Sequence, residues 1–182
     1  MKFKSLEMSG LVYLEPKVFS DCRGHFLETY NDKVLTDILG HKIDFVQDNQ
    51  SYSIRGVLRG LHYQESPFQQ GKLVRVIKGK IFDVAVDLRS NSKTFGKWTG
   101  LQLSGQKNDQ LWIPEGFAHG FLTMSKTAIV AYKCTRLYSP KHEKSLRWDD
   151  PILNIKWPTS SEINISEKDN KANYFSKSLQ YF

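Results

Sequence analysis

The chain of 182 residues is 40% hydrophobic and 13% aromatic and has no low-complexity stretch, which excludes disordered and fibrous proteins and predicts one domain over residues 1–182. The formal net charge of +7 comes from lysines and arginines that are scattered along the sequence, without a basic helix or finger motif, so nucleic-acid binding is not expected. Glu7 and Glu15 interrupt the N-terminal apolar residues, and no later stretch approaches the ~20 apolar residues of a membrane span, so we expect a soluble, cytoplasmic protein without a classical signal.

The first predicted element is a short helix over "DKVLTDIL". Asn31 precedes it and is a favourable N-cap, and Gly40 follows it where a left-handed residue commonly ends a helix. The apolar stripe of this helix consists of Val34, Leu35, Ile38 and Leu39.

The segment "DFVQDNQSYS" alternates like a strand, and one of its faces is polar. Two explanations stay open: this face lines a pocket, or it belongs to an edge strand that faces solvent. The cluster of arginine and histidine that follows favours the pocket. The residues of this face are Phe45, Gln47, Asn49, Ser51 and Ser53.

The segment "RGLHYQ" places His62 in a predicted strand, three residues after Arg59. At this odd spacing the two side chains would point to opposite faces of a regular strand, but a bulge at Gly60 could bring both inward. His62 alone fits a structural core histidine, a metal ligand or a catalytic base. A metal site would require distant residues to converge, because the five histidines include no H-x-H or H-x-x-x-H pair and the cysteines, Cys22 and Cys134, form no C-x-x-C pair. We predict reduced thiols and no metal.

Strands dominate the middle of the chain. In "KLVRVIKGKIFDVAVDLR" two alternating runs meet at Gly79, which predicts a tight hairpin turn there. Further short strands follow, separated by "SGQKND", "PEG" and "SK". Many short antiparallel strands predict a jelly roll or related barrel that can hold a ligand among its inward-facing residues. After Pro158, "SEKDNKA" predicts a short helical tail with weak packing.

Four more side chains in these strands carry useful chemistry. They are Lys72, His119, Tyr132 and Tyr138, and each alone is unremarkable. Lys72 could be a solvated strand end, His119 a packing residue and Tyr132 a barrel-wall aromatic. Together with His62 they would place a base, a cation and a phenol in one barrel.

The strings "DCRGHFLETY", "FVQDNQSYSIRGVLRGLHYQ", "QGKLVRVIKGKIFDVAVDLRSNSKTFGKW", "LWIPEGFAHGF", "YKCTRLYSP" and "SEKD" resemble those of the dTDP-4-dehydrorhamnose 3,5-epimerase family, in the same order and at matching spacing. The resemblance covers nearly the whole chain. It implies a cupin-type jelly-roll barrel with a few short helices, and a homodimer that exchanges N-terminal strands. It further implies an isomerase of dTDP-rhamnose biosynthesis, and thus a link to cell-surface polysaccharide such as O antigen.

The resemblance implies that protons are removed and returned at C3 and C5 of a dTDP-4-keto-6-deoxy sugar, without a cofactor or metal. It assigns His62 as the base, Asp169 as the partner that orients it, Tyr132 as the acid and Lys72 as the cation at the enolate oxygen. A histidine bonded to a carboxylate suits a base at neutral pH, which agrees with this assignment.

The family also implies which residues bind the nucleotide sugar. The arginines and Lys168 would meet the diphosphate or lie near it, and Phe26 and Tyr138 would pack against the thymine or the sugar. His25 and Leu137 depart from the usual family pattern and could tune the orientation of the sugar. The implied binding residues are Arg23, Phe26, Glu28, Gln47, Asn49, Arg59, His119, Tyr138, Glu143 and Lys168.

Three alternatives remain. One base and acid pair would also serve an epimerase acting at only C3 or only C5, or on another nucleotide 4-keto sugar. A 3,4-ketoisomerase resembles this chain poorly outside the barrel. A non-catalytic nucleotide-sugar-binding barrel could lose His62, Lys72 or Tyr132 freely, whereas all three are present. The final glycan and the order of the two epimerisations are not encoded in these motifs.

Overall fold

The computed structural model describes residues 1–8, 10–159 and 162–182, and these residues form mainly β structure. The two helices are short: α1 (Asp32–Leu39) and α2 (Glu167–Asn170). The strands are β1 (Lys2–Ser5), β2 (Val12–Glu15), β3 (Val18–Asp21), β4 (Gly24–Leu27), β5 (Gln47–Ile54), β6 (Val57–Gln64), β7 (Lys72–Lys78), β8 (Lys80–Asp87), β9 (Trp98–Ser104), β10 (Gln110–Ile113), β11 (Phe117–Thr123), β12 (Thr127–Cys134), β13 (Glu143–Ser145) and β14 (Asn164–Ile165).

Two large sheets face each other and form a jelly-roll barrel, which confirms the expected fold class. The first sheet has the order β1-β2-β10-β7-β12-β5. The second has the order β13-β6-β11-β8-β9, and β14 joins it by pairing with β6 in parallel. Strands β3 and β4 pair with each other as a separate hairpin.

Three apolar clusters hold the sheets in place. The central cluster lies between the sheets and includes Val74 and Val130 from the first and Ile81 and Phe121 from the second. On the outer face of the second sheet, C-terminal side chains such as Phe175 form a second cluster. On its outer face the first sheet packs against helix α1, and the side chains between them form a third cluster. Both sheets are therefore covered on two sides over part of their area.

The predicted helix is confirmed in its bounds and its caps. The Asn31 side chain accepts a hydrogen bond from the Val34 N–H at 3.2 Å, and Gly40 has a φ of 77°. Leu35, from the middle of the apolar stripe, is buried against Trp112 in the third cluster. The helix is thus anchored to the sheet by one face, as the sequence indicated.

The prediction of a hairpin at Gly79 is wrong, although the residue has the expected positive φ of 85°. Strand β7 pairs with β10 and β12, whereas β8 pairs with β9 and β11, so the chain passes from one sheet to the other at this glycine. A Cβ added at Gly79 would lie 2.1 Å from the Thr127 carbonyl oxygen. The error arises because alternation describes a strand's two faces and not its pairing partner.

The C-terminal helix exists, but the weak packing expected of it is wrong. Helix α2 begins after Ser166, whose side chain accepts a hydrogen bond from the Asp169 N–H at 3.1 Å. Asp169 is only 4% exposed and lies against β6. The sequence did not predict this packing, because the residue that the helix buries is the charged Asp169 and not an apolar side chain.

In the described ranges, no helix has the length and apolar character that a membrane crossing requires.

The buried carboxylate of Asp87 organises the turn after β8. Its oxygens accept hydrogen bonds from the Arg89 guanidinium at 2.7 and 2.9 Å, and from the Ser92 and Thr94 hydroxyls at 2.6 Å each. Burial opposes ionisation, but these hydrogen bonds outweigh it and hold the pKa of Asp87 below its ordinary value of 3.8.

We expect Asp87→Ala to lower the free energy of unfolding by about 3 kcal/mol, because it leaves several donors without their acceptor. The Asp87 contribution should be fully present above pH 3.8 and lost as the pH falls through its lower folded-state pKa. Urea unfolding of both proteins between pH 3 and pH 7 measures this difference. A stability gap that did not shrink at acidic pH would contradict the assignment.

Candidate active site

A cavity of about 190 Å³ opens into the barrel between the two sheets. Side chains from both sheets line it, together with the loop after β12. These include Asn49 on β5, His62 on β6, Lys72 on β7, Tyr132 on β12, and Tyr138 and Glu143 beyond it. The polar face of the segment predicted from "DFVQDNQSYS" therefore lines a pocket, even though β5 is an edge strand.

His62 and Asp169 form a hydrogen-bonded dyad at the cavity wall. His62 Nε2 lies 2.7 Å from Asp169 Oδ1, and the Gly60 N–H donates to Asp169 Oδ2 at 3.2 Å. Burial opposes ionisation of Asp169, but the hydrogen bond and charge of His62, with donors from Gly60 and Ser166, lower the pKa of Asp169. An ionised carboxylate therefore fixes the imidazole by one nitrogen and leaves Nδ1 for chemistry.

A bulge in β6 sets the direction of this histidine, as the sequence predicted. His119 stands opposite His62 and Phe121 stands opposite Arg59, so three steps along β6 match two along β11. Gly60 lies within the bulge at a φ of 111°, and a Cβ there would be 2.6 Å from the His119 carbonyl oxygen. Only glycine fits this approach of two backbones.

The bulge brings Arg59 and His62 to one neighbouring cavity of about 370 Å³, which Lys168 and Asp169 also line. Arg59 is held there by hydrogen bonds to the Ser53 hydroxyl at 3.1 Å and to the Tyr52 carbonyl at 3.2 Å. His62 lines both cavities, so a ligand that spans them would meet the dyad, the Arg59 guanidinium and the side-chain amines of Lys72 and Lys168.

Lys72 and Tyr132 lie together on the opposite wall. The Lys72 ammonium is 5.9 Å from the centroid of the Tyr132 ring, and both residues belong to the first sheet. Burial lowers the pKa of Lys72, against the opposing effect of Cys134, Asp83 and Glu143. Burial raises the pKa of Tyr132, so its phenol keeps its proton. This wall offers a buried amine and a neutral proton donor.

Tyr138, Glu143 and Lys168 form a polar chain at the cavity mouth. The Tyr138 hydroxyl donates to Glu143 Oε2 at 2.7 Å, and the Lys168 ammonium pairs with the same oxygen. Burial opposes ionisation of Glu143, but Lys168 and Tyr138 bond to its charged form and lower its pKa. Gln47 links this chain to β5, since it accepts from the Tyr138 N–H at 2.8 Å and donates to Asn49 Oδ1 at 2.9 Å.

His119 forms a second histidine–aspartate pair that the sequence did not reveal. Its Nε2 lies 2.7 Å from Asp83 Oδ1, and Asp83 is fully buried. The signal was present: Asp83 is a charged residue inside the alternating run of β8, on the same face as Ala85. The other residue missed is Gln64, which is buried on β6 two positions after His62.

The hairpin of β3 and β4 does not bring its predicted residues to the cavity. Arg23 pairs with Asp21 at 2.5 Å and Phe26 is 69% exposed. Glu28 accepts a hydrogen bond from the Asn31 side chain at 3.2 Å. Within one chain, these three residues therefore stay apart from His62.

Within residues 1–8, 10–159 and 162–182, no three histidine, cysteine, aspartate or glutamate side chains converge as metal ligands would.

We expect Asp169→Ala to release the tautomer of His62, because the carboxylate that engages Nε2 is lost. Nitrogen-15 NMR of labelled imidazoles should show wild-type His62 with its proton on Nε2 when neutral, and a mixture of tautomers in the variant. The exposed His25 serves as the internal reference. A wild-type ring that already populates both tautomers would contradict the role of Asp169.

Residues 5–177 match the family described as dTDP-4-dehydrorhamnose 3,5-epimerase. The protein of that name from Methanothermobacter thermautotrophicus is 53% identical over 171 residues, which cover 92% of this chain and 91% of the relative. The fold matches the crystal structure of dTDP-6-deoxy-D-glucose-3,5-epimerase from Legionella pneumophila in complex with dTDP-4-keto-L-rhamnose, at a TM-score of 0.92 and 48% identity, covering 95% of this chain and 92% of that one.

A 3'-monoepimerase from Streptomyces bikiniensis, in complex with dTDP-quinovose, also matches, at a TM-score of 0.88 and 34% identity, covering 93% of this chain and 85% of that one. The same barrel thus serves more than one epimerisation pattern. The chain belongs to the dTDP-4-dehydrorhamnose 3,5-epimerase family.

Proposed function

We propose that the protein converts dTDP-4-dehydro-6-deoxy-D-glucose into dTDP-4-dehydro-L-rhamnose by inverting C3 and C5, as an isomerase of dTDP-L-rhamnose biosynthesis that needs no cofactor. One observation carries the proposal: His62 faces the cavity from the second sheet, while Tyr132 and Lys72 face it from the first. Epimerisation requires a base and an acid on opposite faces of the reacting carbon, and two facing sheets supply them.

The ketone at C4 makes the protons at C3 and C5 acidic, because their removal gives an enolate. His62 takes the proton through Nδ1, and the Asp169 carboxylate stabilises the imidazolium that forms. The Lys72 ammonium stabilises the enolate oxygen. Tyr132 then gives a proton to the opposite face of the carbon. Solvent exchange returns a proton to Tyr132 and removes one from His62, so each inversion is balanced.

The protonation states suit these roles. Burial keeps the Tyr132 phenol protonated and ready to donate. Burial lowers the pKa of Lys72, while the nearby charges of Asp83 and Glu143 favour its charged form. A positioned acid or base contributes about 10²- to 10⁴-fold, and an oxyanion donor about 10²- to 10³-fold.

The cavity that Arg59 and Lys168 share with His62 suits the diphosphate, because both cations line it beside the dyad. Tyr138 suits the nucleoside, since it is 48% exposed at the mouth and offers its ring as a platform. Gln47, Asn49 and Glu143 line the same cavity as Tyr138 and His62, where the sugar would lie. His119, another of the implied binding residues, stands opposite His62 on β11, and Asp83 fixes its ring.

We further propose that the whole chain is one domain that works as a cytoplasmic homodimer. The outer face of the first sheet exposes Tyr52, Ile54 and Ile77, which a second copy would cover. The hairpin of β3 and β4 exposes Phe26 and holds Arg23 away from its own cavity. In the homodimer that the family implies, each copy's hairpin supplies these residues to the other copy.

An epimerase that inverts only C3 or only C5, or that acts on another nucleotide 4-keto sugar, is the second candidate. The similarity to a 3'-monoepimerase favours it, because the same acid and base can serve one carbon or two. A non-catalytic binding barrel is disfavoured, since it has no use for the dyad opposite Tyr132 and Lys72.

We expect purified protein to exchange deuterium from D₂O into both C3 and C5 of dTDP-4-dehydro-6-deoxy-D-glucose, as followed by NMR without any reductase. Exchange at one carbon would establish a single-site epimerase. No exchange, in a protein that still binds dTDP, would contradict the proposal.

His62→Ala and Tyr132→Phe test the assigned roles in the same assay. Each should slow exchange by about 10²- to 10⁴-fold with dTDP affinity nearly unchanged. His41→Ala is the matched control, because His41 is exposed and its ring bonds to the carbonyl of the nearby Leu39, away from the cavity residues. Folded His62→Ala protein with wild-type exchange would remove His62 from the mechanism.

We expect Tyr52→Glu to convert the dimer into monomers in analytical ultracentrifugation, since it places a charge in the covered face. The monomer should bind dTDP more weakly, because it lacks the hairpin of a second copy. Ile152→Glu is the control, as Ile152 is 53% exposed and lies in the turn after Asp150. A monomeric wild type, or a monomeric variant with full dTDP affinity, would contradict the proposed assembly.

A further inference from the structure

The side-chain amide of Gln64 forms hydrogen bonds with the backbone of two loops through both its oxygen and its nitrogen. Its Oε1 accepts from the Ser139 N–H at 2.6 Å, and its Nε2 donates to the Phe68 carbonyl at 2.8 Å and the Leu137 carbonyl at 3.3 Å. The side chain is only 4% exposed. A glutamine amide has two N–H donors and both are engaged here, so Gln64 has none left for a substrate.

Gln47 holds the same segment from the opposite sheet. Its Oε1 accepts from the Tyr138 N–H at 2.8 Å, and its own N–H donates to Asn49. Three consecutive residues, Leu137, Tyr138 and Ser139, are thus held by one glutamine from β5 and one from β6. We call Gln47 and Gln64 the glutamine clamp.

The clamped segment has little apolar packing to hold it. Leu137 is 60% exposed and Tyr138 is 48% exposed. Hydrogen bonds are therefore the main restraint on this segment. Those of the glutamine clamp hold its backbone, and the one from the Tyr138 hydroxyl to Glu143 holds the ring. Glu143 accepts the hydrogen bond of the Tyr138 hydroxyl. It also stands directly opposite Gln64 in the pairing of β13 with β6, so Gln64 adjoins both the clamped segment and the residue that holds the ring.

We infer that Gln64 is a positioning residue: it fixes the Leu137–Ser139 backbone so that the Tyr138 ring stands ready at the cavity mouth to bind the nucleoside. The inference rests on the proposed function for the identity of the ligand. It assigns Gln64 to affinity for the nucleotide and not to the proton transfers, although His62 lies two residues away on the same strand.

Gln64→Met tests this assignment, because methionine has a similar volume and removes all three hydrogen bonds. The dissociation constant for dTDP, measured by calorimetry, should rise about tenfold, as expected for the loss of about 1.4 kcal/mol of preorganisation. The turnover number at saturating substrate should stay within about twofold of wild type. Gln64→Glu keeps the acceptor but places a carboxylate oxygen against the Phe68 and Leu137 carbonyl oxygens. Because these acceptors repel it, the variant should weaken dTDP binding at least as much.

Hydrogen exchange followed by mass spectrometry tests the clamp without any ligand. The peptide that carries the Tyr138 and Ser139 amides should exchange at least about tenfold faster in Gln64→Met than in wild type, while core peptides stay protected. Ile81→Val is the control for general destabilisation. It removes one methylene from a buried side chain that is distant from the cavity. Strand β7 leads away from the cavity, from Lys72 to Lys78, and Ile81 follows at the start of β8.

Each outcome decides the inference. Unchanged exchange in this peptide would overturn the clamp, and fast exchange with an unchanged dTDP dissociation constant would overturn its link to nucleotide binding. A fall in turnover with unchanged dTDP affinity would place Gln64 with the reacting groups instead. Wild-type protein that fails to bind dTDP would contradict the proposed function, and the exchange data would still decide whether the clamp exists.

Discussion

The hydrogen bond between His62 and the buried Asp169 carboxylate joins residues 107 positions apart, and the arrangement of the site depends on it. Asp169 also accepts from the Gly60 N–H, so the same carboxylate ties the bulge of β6 to helix α2. The C-terminal segment is therefore a wall of the site as well as a cover for the second sheet. An ionised group in this position is tolerated because each of its oxygens has a donor.

The strands that build the core also build the site. Strand β7 places Val74 and Val76 in the central cluster and Lys72 at the cavity. Strand β12 does the same with Val130 and Tyr132. Chemistry carried by strands is held as rigidly as the core itself, which suits an acid and a base that must face one carbon from two sides. The rigid walls contrast with the mouth, where Tyr138 is half exposed and hydrogen bonds hold both its backbone and its hydroxyl.

A single chain leaves two surfaces unfinished. The outer face of the first sheet carries exposed apolar side chains, and the hairpin of β3 and β4 lacks any strand partner beyond itself among the described residues. An isolated two-stranded hairpin is marginally stable in water. In the proposed homodimer, a second copy of the chain would bury the apolar face and give the hairpin a surface to pack on.

The sequence by itself determined the mainly β class, the helix between Asn31 and Gly40, the polar inner face of β5 and the bulge at Gly60, because each follows from local periodicity or from one residue's backbone preference. The resemblance of its motifs is the basis on which His62 is proposed as the base and Tyr132 as the acid, with Asp169 and Lys72 as their partners. Only the tertiary structure decided that the chain changes sheets at Gly79, that Asp83 holds His119, and that Gln64 holds the Tyr138 segment. These depend on which distant strands and loops meet, and a period of two residues specifies the faces of a strand without specifying its neighbours.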